Sequence, residues 1–192
     1  ISAFWFIFSS VFKGEINRLE IYRYFYNIHF PNFDAFYEIF KKYLLESQLC
    51  KLYKKNYNEF IQSNYLIEFG IYSDKEREFR FYRDKILSRN EFENILDNIL
   101  KDYNLDINKI SKNIWMVNRD LVALHSKGQI IGLHSFTHPT NMAQLDINKQ
   151  HQEYIRNKEH ILSITNKGPI TVSHPCGSYD KSTLKILGQL GI

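Results

Sequence analysis

The sequence predicts a parallel α/β fold, and three features of the 192-residue chain indicate it. Short apolar runs that suit buried strands alternate with longer segments whose apolar residues recur at helical spacing. Such alternation is typical of parallel sheets, because a crossover helix must return the chain between neighbouring strands. The third feature is a pair of histidines, His134 and His138, which follows the apolar run 130–133. Side chains at the carboxyl ends of strands form the active sites of α/β folds.

The bulk composition describes one well-packed domain, residues 1–192. Hydrophobic residues make up 44% of the chain, with 15 Phe and 13 Tyr, which excludes a disordered protein. The formal net charge of +4 is modest and spread along the chain, so the basic residues are interpreted as solvated helix faces. The sequence has no nucleic-acid-binding signature and no apolar run as long as a membrane span. We therefore predict neither a nucleic-acid partner nor a transmembrane segment.

The cysteines and the opening residues bear on the compartment. Cys50 and Cys176 are too few for a disulfide framework and fit a reducing environment. Residues 1–8 are apolar but lack an initiator Met and a basic region, so they predict a buried strand and no secretion signal. We accordingly predict a cytoplasmic protein over an exported one, with a natural start upstream of Ile1.

The first third of the chain predicts a strand followed by helices. Residues 2–9 form the predicted first strand. Apolar residues at helical spacing then predict a helix over 15–29, which Pro31 ends. A second apolar stripe at the same spacing begins at Phe33 and predicts another core-facing helix.

Residues 50–112 are interpreted as helical and heavily charged. Within them, Tyr65–Tyr72 is a candidate strand. A clear helix follows, capped by either Ser88 or Asn90. This amount of helix between two early strands predicts a separate helical region.

The last third predicts the strand and helix alternation most clearly. In order, its elements are a helix from Asn118, a strand at 130–133, a helix after Pro139, a strand at Ile170–Val172 and a helix capped by Asp180 or Ser182. Three histidines, His125, His151 and His160, fall on predicted helix faces and are interpreted as surface residues.

The histidine pair is a candidate metal site. Neutral imidazole is the commonest nitrogen ligand of zinc and related ions, and two imidazoles four residues apart can meet one ion if the backbone turns between them. The residue after His134 is Ser135 and not Glu, which excludes a metalloprotease helix. The spacing alone leaves two readings open, a metal site or two hydrogen-bonded structural histidines.

Two motifs in order resemble the polysaccharide deacetylase family, also described as the NodB-homology domain or carbohydrate esterase family 4. Its second motif, His-Ser/Thr-x-x-His after Gly-His/Gln-x-Ile-Gly-x, corresponds to Gly-Gln-Ile-Ile-Gly-Leu-His-Ser-Phe-Thr-His at 128–138. Its third motif, in the form Tyr-Pro-Tyr-Gly-x-Tyr, is similar to His-Pro-Cys-Gly-Ser-Tyr at 174–179. The resemblance covers the C-terminal third of the chain well and the opening residues loosely.

The resemblance implies a distorted (β/α) barrel, of which this chain is most but not all. Residues 15–112 then become a largely helical insertion, a candidate lid or a surface for a partner or a second copy. The family's first motif, Thr-Phe-Asp-Asp, supplies a metal ligand and the catalytic base, and it is expected upstream of Ile1.

The resemblance also implies a divalent metal held by His134 and His138 together with that upstream aspartate. Zinc suits two nitrogens and one oxygen with a position left open for water. Such an ion lowers the pKa of its bound water and polarises a carbonyl, as removal of an N-acetyl group requires.

The third motif supplies the remaining candidate residues. Pro175 fixes the turn, the backbone N–H of Cys176 points at the developing oxyanion, and Gly177 permits close approach of substrate. The Cys176 thiol is either a metal ligand or a small buried side chain. Tyr179 lines the floor of the site or packs in the core. His174 donates to substrate or acts as a general acid, unless it replaces a stacking tyrosine.

The function these features predict is metal-dependent removal of N-acetyl groups from a carbohydrate substrate, in making or modifying a surface polysaccharide. A catalytically inactive binding or scaffold module is the alternative, because Ser173 stands where many family members carry an arginine and Cys176 replaces an aromatic residue. A third reading keeps the metal and changes the bond to an ester or a non-sugar amide.

Overall fold

The computed structural model describes residues 2–192, and the chain divides into two compact units. An α/β unit comprises the chain up to Asn17 together with Trp115–Ile192, and a helical unit comprises Arg18–Ile114. Ile1, with which the apolar opening run begins, lies outside the described residues. The elements are β1 (Phe4–Ile7), α1 (Arg18–His29), α2 (Phe33–Glu46), α3 (Cys50–Ser63), α4 (Asp74–Phe81), α5 (Arg89–Asp102), α6 (Ile107–Ile114), α7 (Asn118–Ser126), β2 (Ile130–Leu133), α8 (Ile147–Thr165) and α9 (Lys181–Gln189).

The two strands pair in parallel, as the alternation predicted. Phe4 lies opposite Ile130 and Ile7 lies opposite Leu133, so both strands end at the same edge of the sheet. One further parallel bridge joins Leu133 to Val172. Three chain segments therefore reach the same edge with the same direction.

The expected barrel is not formed by residues 2–192, which are mostly helical and contain one two-stranded sheet. The predicted strand Ile170–Val172 makes only a single bridge. Its two hydrogen bonds run from Leu133 N–H to the Thr171 carbonyl and from Ser173 N–H to the Leu133 carbonyl, each 2.9 Å. Pro169 and Pro175 flank this segment and lack the N–H that a longer ladder would need.

The core of the α/β unit is organised around α8, which packs against α7, α9 and β2. Tyr154 and Ile161 of this helix are buried beside Leu133 and Leu121. Because α8 touches both the sheet and two helices, side chains on its inward face can reach the ends of the strands.

The helical unit has an aromatic core of its own. The Phe40 and Phe79 rings meet edge to face, with centroids 4.8 Å apart, which is a favoured arrangement for aromatic pairs. Buried Glu78 accepts the Tyr53 hydroxyl at 2.7 Å, and the Lys41 ammonium lies 3.6 Å from the same carboxylate oxygen. The unit thus buries one charge that is paired and hydrogen-bonded, as burial of a carboxylate requires.

The candidate strand Tyr65–Tyr72 is wrong, because this segment is a series of turns. Asn64 and Leu66 have φ values of 50° and 57°, in the left-handed region, which an extended strand does not use. Successive hydrogen bonds from Ile67 to Asn64 and from Phe69 to Leu66, 3.0 and 3.1 Å long, close those turns.

Helix starts follow the capping residues in the sequence. Ser88 caps α5 and forms a reciprocal capping box with Glu91, whose pKa is lowered by hydrogen bonds from Ser88. Asp180 caps α9 in the same way, by accepting from the Thr183 N–H at 2.8 Å. Of the two cap residues predicted for each helix, Ser88 and Asp180 are the ones used. No helix within the described residues has both the length and the apolar character needed to span a bilayer.

Gly132 lies where β2 has no room for a side chain. A Cβ at this position would lie 2.6 Å from Thr171 Oγ1 and 2.8 Å from the Phe6 ring. We expect Gly132→Ala to lower the free energy of unfolding by about 1–3 kcal/mol through overpacking. Urea unfolding followed by tryptophan fluorescence measures this in the α/β unit, which holds both Trp5 and Trp115.

Gly188 on α9 gives the matched control. A Cβ there would meet no atom within 4 Å, so Gly188→Ala should raise helix stability by about 0.5–1 kcal/mol. A Gly132→Ala variant as stable as the wild type would contradict the close packing of Gly132 against Phe6 and Thr171.

Candidate active site

The predicted site residues lie at one edge of the sheet, where β1, β2 and the parallel segment at Val172 end. His134 follows the last residue of β2, and His174 follows the bridge at Val172 by two positions. Phe8 and Ser9 follow β1, which is the neighbour of β2 opposite the Val172 segment. The histidines therefore occupy the carboxyl ends of strands, where α/β folds place their active sites.

His134 is held by hydrogen bonds on both its backbone and its ring. Its N–H donates to Asn157 Oδ1 at 3.0 Å, and its Nδ1 lies 2.8 Å from the Ser173 carbonyl oxygen. Because a carbonyl only accepts, Nδ1 carries the hydrogen and Nε2 keeps its lone pair. This is the usual way in which a protein prepares a histidine as a metal ligand.

The backbone turns between the two histidines, as a shared ligand role requires. Ser135 and His138 both have left-handed φ values, 64° and 61°, and the His138 N–H donates to Ser135 Oγ at 3.1 Å. The turn brings the ring centroids of His134 and His138 to 4.9 Å. The Phe8 ring lies 5.4 Å from that of His138 and forms a wall beside the pair.

Glu153 of α8 holds the turn between the histidines. Its carboxylate accepts the N–H groups of Phe136 and Thr137 at 2.9 and 2.8 Å and the Thr137 hydroxyl at 2.6 Å. The Arg156 guanidinium, one turn further along α8, lies 3.5 Å over the Phe136 ring. Two side chains of one helix therefore fix the conformation of the histidine turn.

Asn157, also on α8, joins β1 to β2 at their ends. Its side-chain NH₂ donates to the Ile7 carbonyl at 2.9 Å and to Ser9 Oγ at 2.7 Å, while its oxygen accepts from His134. The Phe136 carbonyl accepts the Ser9 N–H at 3.1 Å, which ties the same two segments together again. All these groups lie at the sheet edge that carries the site.

The third-motif segment forms a tight turn at Pro175–Gly177. Pro175 is buried, whereas Cys176 has a left-handed φ of 52° and is exposed, so the prediction of a small buried side chain is wrong. Gly177 has a φ of 66°, which glycine adopts without strain. The N–H groups of Gly177 and Ser178 donate to the carbonyls of His174 and Pro175 at 3.1 and 3.0 Å.

His174 lies between two tyrosines. Its Nδ1 is 2.9 Å from the Tyr154 hydroxyl oxygen, and its ring stacks on Tyr179 with centroids 4.5 Å apart. Burial lowers the pKa of His174, and the nearby His134 lowers it further. Tyr179 is half exposed, so it is not the packed core tyrosine that was one of its two readings.

The structure brings together some candidate residues and excludes others. Between residues 2 and 192, no three His, Cys, Asp or Glu side chains cluster to hold a metal, so the two site imidazoles lack a third ligand there.

His160 is buried, not on the surface as predicted. Its Nε2 lies 3.2 Å from Asn118 Oδ1, and burial lowers its pKa. His125 and His151 are partly exposed.

The sequence carried one signal that the motifs did not include. Asn157 of α8 lies three positions after Tyr154 and four after Glu153, so its side chain neighbours both of these polar or amphipathic residues on the helix surface. The face that carries Tyr154 and Asn157 is the inward one, because both are fully buried. A polar stripe within a core-facing helix indicates groups that have hydrogen-bond partners in the interior.

The family is shown by sequence comparison. The model of the family described as polysaccharide deacetylase matches residues 89–192, more than half of the chain. The chain therefore belongs to the polysaccharide deacetylase family. A comparison with curated proteins finds no match.

Solved structures of two proteins resemble parts of the chain. The Streptococcus pyogenes deacetylase PplD, in complex with acetate, is 18% identical with a TM-score of 0.40, over 59% of this chain and 58% of that one. A CE4 family pseudoenzyme from Bacillus anthracis is 22% identical with a TM-score of 0.38, over 50% of this chain and 34% of that one. The chain thus spans about a third to three fifths of their lengths, and the activity of a whole protein is a proposal.

Loss of the Glu153 carboxylate should open the histidine turn. Hydrogen bonds to a charged group contribute about 1.5–3 kcal/mol, so Glu153→Ala should speed amide hydrogen exchange at Phe136 and Thr137 by roughly ten- to a hundredfold. Hydrogen exchange followed by NMR measures both amides directly. Glu159→Ala, which removes an exposed carboxylate from the same helix, should leave these rates unchanged. Equal rates in the two variants would contradict the anchoring role of Glu153.

Proposed function

We propose that the protein containing this chain is a metal-dependent hydrolase that removes N-acetyl groups from a carbohydrate. Given that the chain belongs to the polysaccharide deacetylase family, one structural observation carries the proposal. The Ser173 carbonyl holds the Nδ1 hydrogen of His134, which leaves Nε2 as a lone-pair donor, and the His138 ring lies 4.9 Å away. Two imidazoles in this arrangement suit a divalent ion.

The donors present fit zinc as two of its ligands. Imidazole nitrogen is a good donor for zinc, and the aspartate of the family's first motif, expected upstream of Ile1, would add the oxygen. When bound, the ion would lower the pKa of its water and polarise the acetyl carbonyl. His134 and His138 would hold it, with Glu153 and Asn157 fixing their backbone.

The third-motif turn would bind the substrate beside that ion. Gly177 and Ser178 use their N–H groups within the turn, so the Cys176 N–H is the amide that we assign to the developing oxyanion. Pro175 anchors the turn in the core. The half-exposed Tyr179, stacked on His174, offers an apolar ring face to a sugar, and Gly177 leaves space for close approach.

A second candidate function is an inactive binding or scaffold module. It is favoured by Ser173, whose short side chain cannot orient a base as an arginine would, and by Cys176, which stands where the family usually has an aromatic residue. The helical unit Arg18–Ile114, as an insertion in such a domain, would serve either function as a lid or as a surface for a partner.

Zinc titration of the complete protein and an acetate-release assay on N-acetylated sugars test the proposal together. We expect stoichiometric zinc and acetate release in the wild type. His134→Ala should weaken zinc binding by more than the roughly 10- to 100-fold that loss of a ligand-orienting partner costs. His151→Ala, a change of the same kind on α8, should bind zinc as the wild type does.

Two results would count against the hydrolase. Zinc binding that is unaffected by His134→Ala would place the metal elsewhere. Neither zinc nor acetate release in the complete protein would instead favour the inactive module. Release from an ester but not from any N-acetylated sugar would keep the metal and change the bond.

A further inference from the structure

The Tyr154 hydroxyl has a single hydrogen-bond acceptor within residues 2–192. Tyr154 is 0% exposed, and its oxygen lies 2.9 Å from His174 Nδ1. Within residues 2–192, that nitrogen is the one hydrogen-bond partner of the hydroxyl. A buried hydroxyl without an acceptor is unfavourable, so the hydrogen has to point at His174.

This contact fixes the position of the proton on His174. If Nδ1 carried a hydrogen, the imidazole would donate to the phenol, and the phenol hydrogen would have no acceptor. If Nδ1 is unprotonated, the phenol donates to it and both groups are satisfied. The imidazole is then neutral and carries its hydrogen on Nε2. A deprotonated Tyr154 that accepts a hydrogen bond from a protonated Nδ1 is also excluded, because burial raises the pKa of Tyr154 and keeps its phenol protonated.

We propose that Tyr154 is a positioning residue that holds His174 as a neutral imidazole with its hydrogen on Nε2. His174 then serves as a hydrogen-bond donor to the carbonyl oxygen of the substrate, and not as a general acid. This role of His174 in the reaction rests on the proposed deacetylase function.

The assigned proton decides which chemistry His174 can perform. A neutral Nε2–H can donate a hydrogen bond to an oxygen that gains negative charge, without itself losing the proton. Full transfer of that proton to the leaving amine would leave an imidazolate, which is far too basic for the role. An imidazolium could act as the acid, but its Nδ1–H would face the Tyr154 oxygen and strand the phenol hydrogen. The proton for the amine therefore comes from another group.

Ser173 and Tyr154 thus set two histidines in opposite tautomers. The Ser173 carbonyl places the His134 hydrogen on Nδ1 and leaves Nε2 as a lone pair. Tyr154 places the His174 hydrogen on Nε2. Stacking on Tyr179 holds the plane of the His174 ring. One histidine is therefore prepared to bind a cation, and the other to donate to an anion.

Nitrogen NMR of the histidine rings tests the proton assignment. In the complete ¹⁵N-labelled protein as purified, long-range correlations to the ring protons distinguish protonated from unprotonated nitrogens. We expect His174 to be protonated on Nε2, with an Nδ1 resonance displaced from that of a free lone pair because it accepts a hydrogen bond. In Tyr154→Phe, Nδ1 should move to the position of a free lone pair. We also expect kcat for acetate release to fall about tenfold with little change in KM.

Tyr37→Phe is the matched control, since it removes a buried phenol hydroxyl from the helical unit and should leave the His174 resonances unchanged. A proton on His174 Nδ1 in the wild type would overturn the proposal. An Nδ1 resonance that does not respond to Tyr154→Phe would do the same. If Tyr154→Phe fails to fold, the wild-type spectrum decides alone. The expected tautomer without zinc binding or acetate release would overturn the proposed function and leave the proton assignment standing.

Discussion

The side-chain amide of Asn157 is the interaction on which the arrangement of the site depends. It donates to Ile7, the last residue of β1, and to Ser9 just beyond it, and it accepts from the N–H of His134, which directly follows β2. The amide is fully buried and satisfies three groups that would otherwise be unpaired in the interior. A parallel pair of four-residue strands gives little stability alone, so this cross-link helps to set where both strands stop.

The rest of the site follows from the same helix. Glu153 fixes the turn between the two histidines, and Tyr154 fixes the ring of His174. Glu153 and Tyr154 are consecutive and lie about one helical turn before Asn157. The rigidity of α8 therefore sets the relative positions of the three site histidines, His134, His138 and His174. A site of this kind is organised before any ligand arrives, which reduces the reorganisation that binding or reaction requires.

Much of the local structure could be predicted from the sequence, because local signals determine it. Apolar stripes at helical spacing predicted the helices, and Ser88 predicted the start of α5 through its capping box. The strand before His134 was also confirmed, since the apolar run ends there. The turn after it was only a condition for a shared metal, and the left-handed residues Ser135 and His138 provide it.

The remainder could not be predicted, because it depends on contacts between distant residues. The segment Ile170–Val172 has the composition of a strand, yet whether it forms a ladder or one bridge depends on which neighbours its N–H groups meet. Tyr65–Tyr72 has apolar residues typical of a strand, but left-handed backbone at Leu66 makes it turn. His160 is buried because Asn118 and the Phe12 ring surround it, which no local pattern indicates.

We propose that His134 binds a metal through Nε2 while its Nδ1 hydrogen stays on the Ser173 carbonyl. Anomalous diffraction at the zinc edge, from crystals of the complete protein grown with zinc, tests it most directly. We expect a peak about 2.0–2.1 Å from His134 Nε2 and from a ring nitrogen of His138, with the Ser173 contact intact. No peak at these residues, or a metal bound through His134 Nδ1, would contradict it.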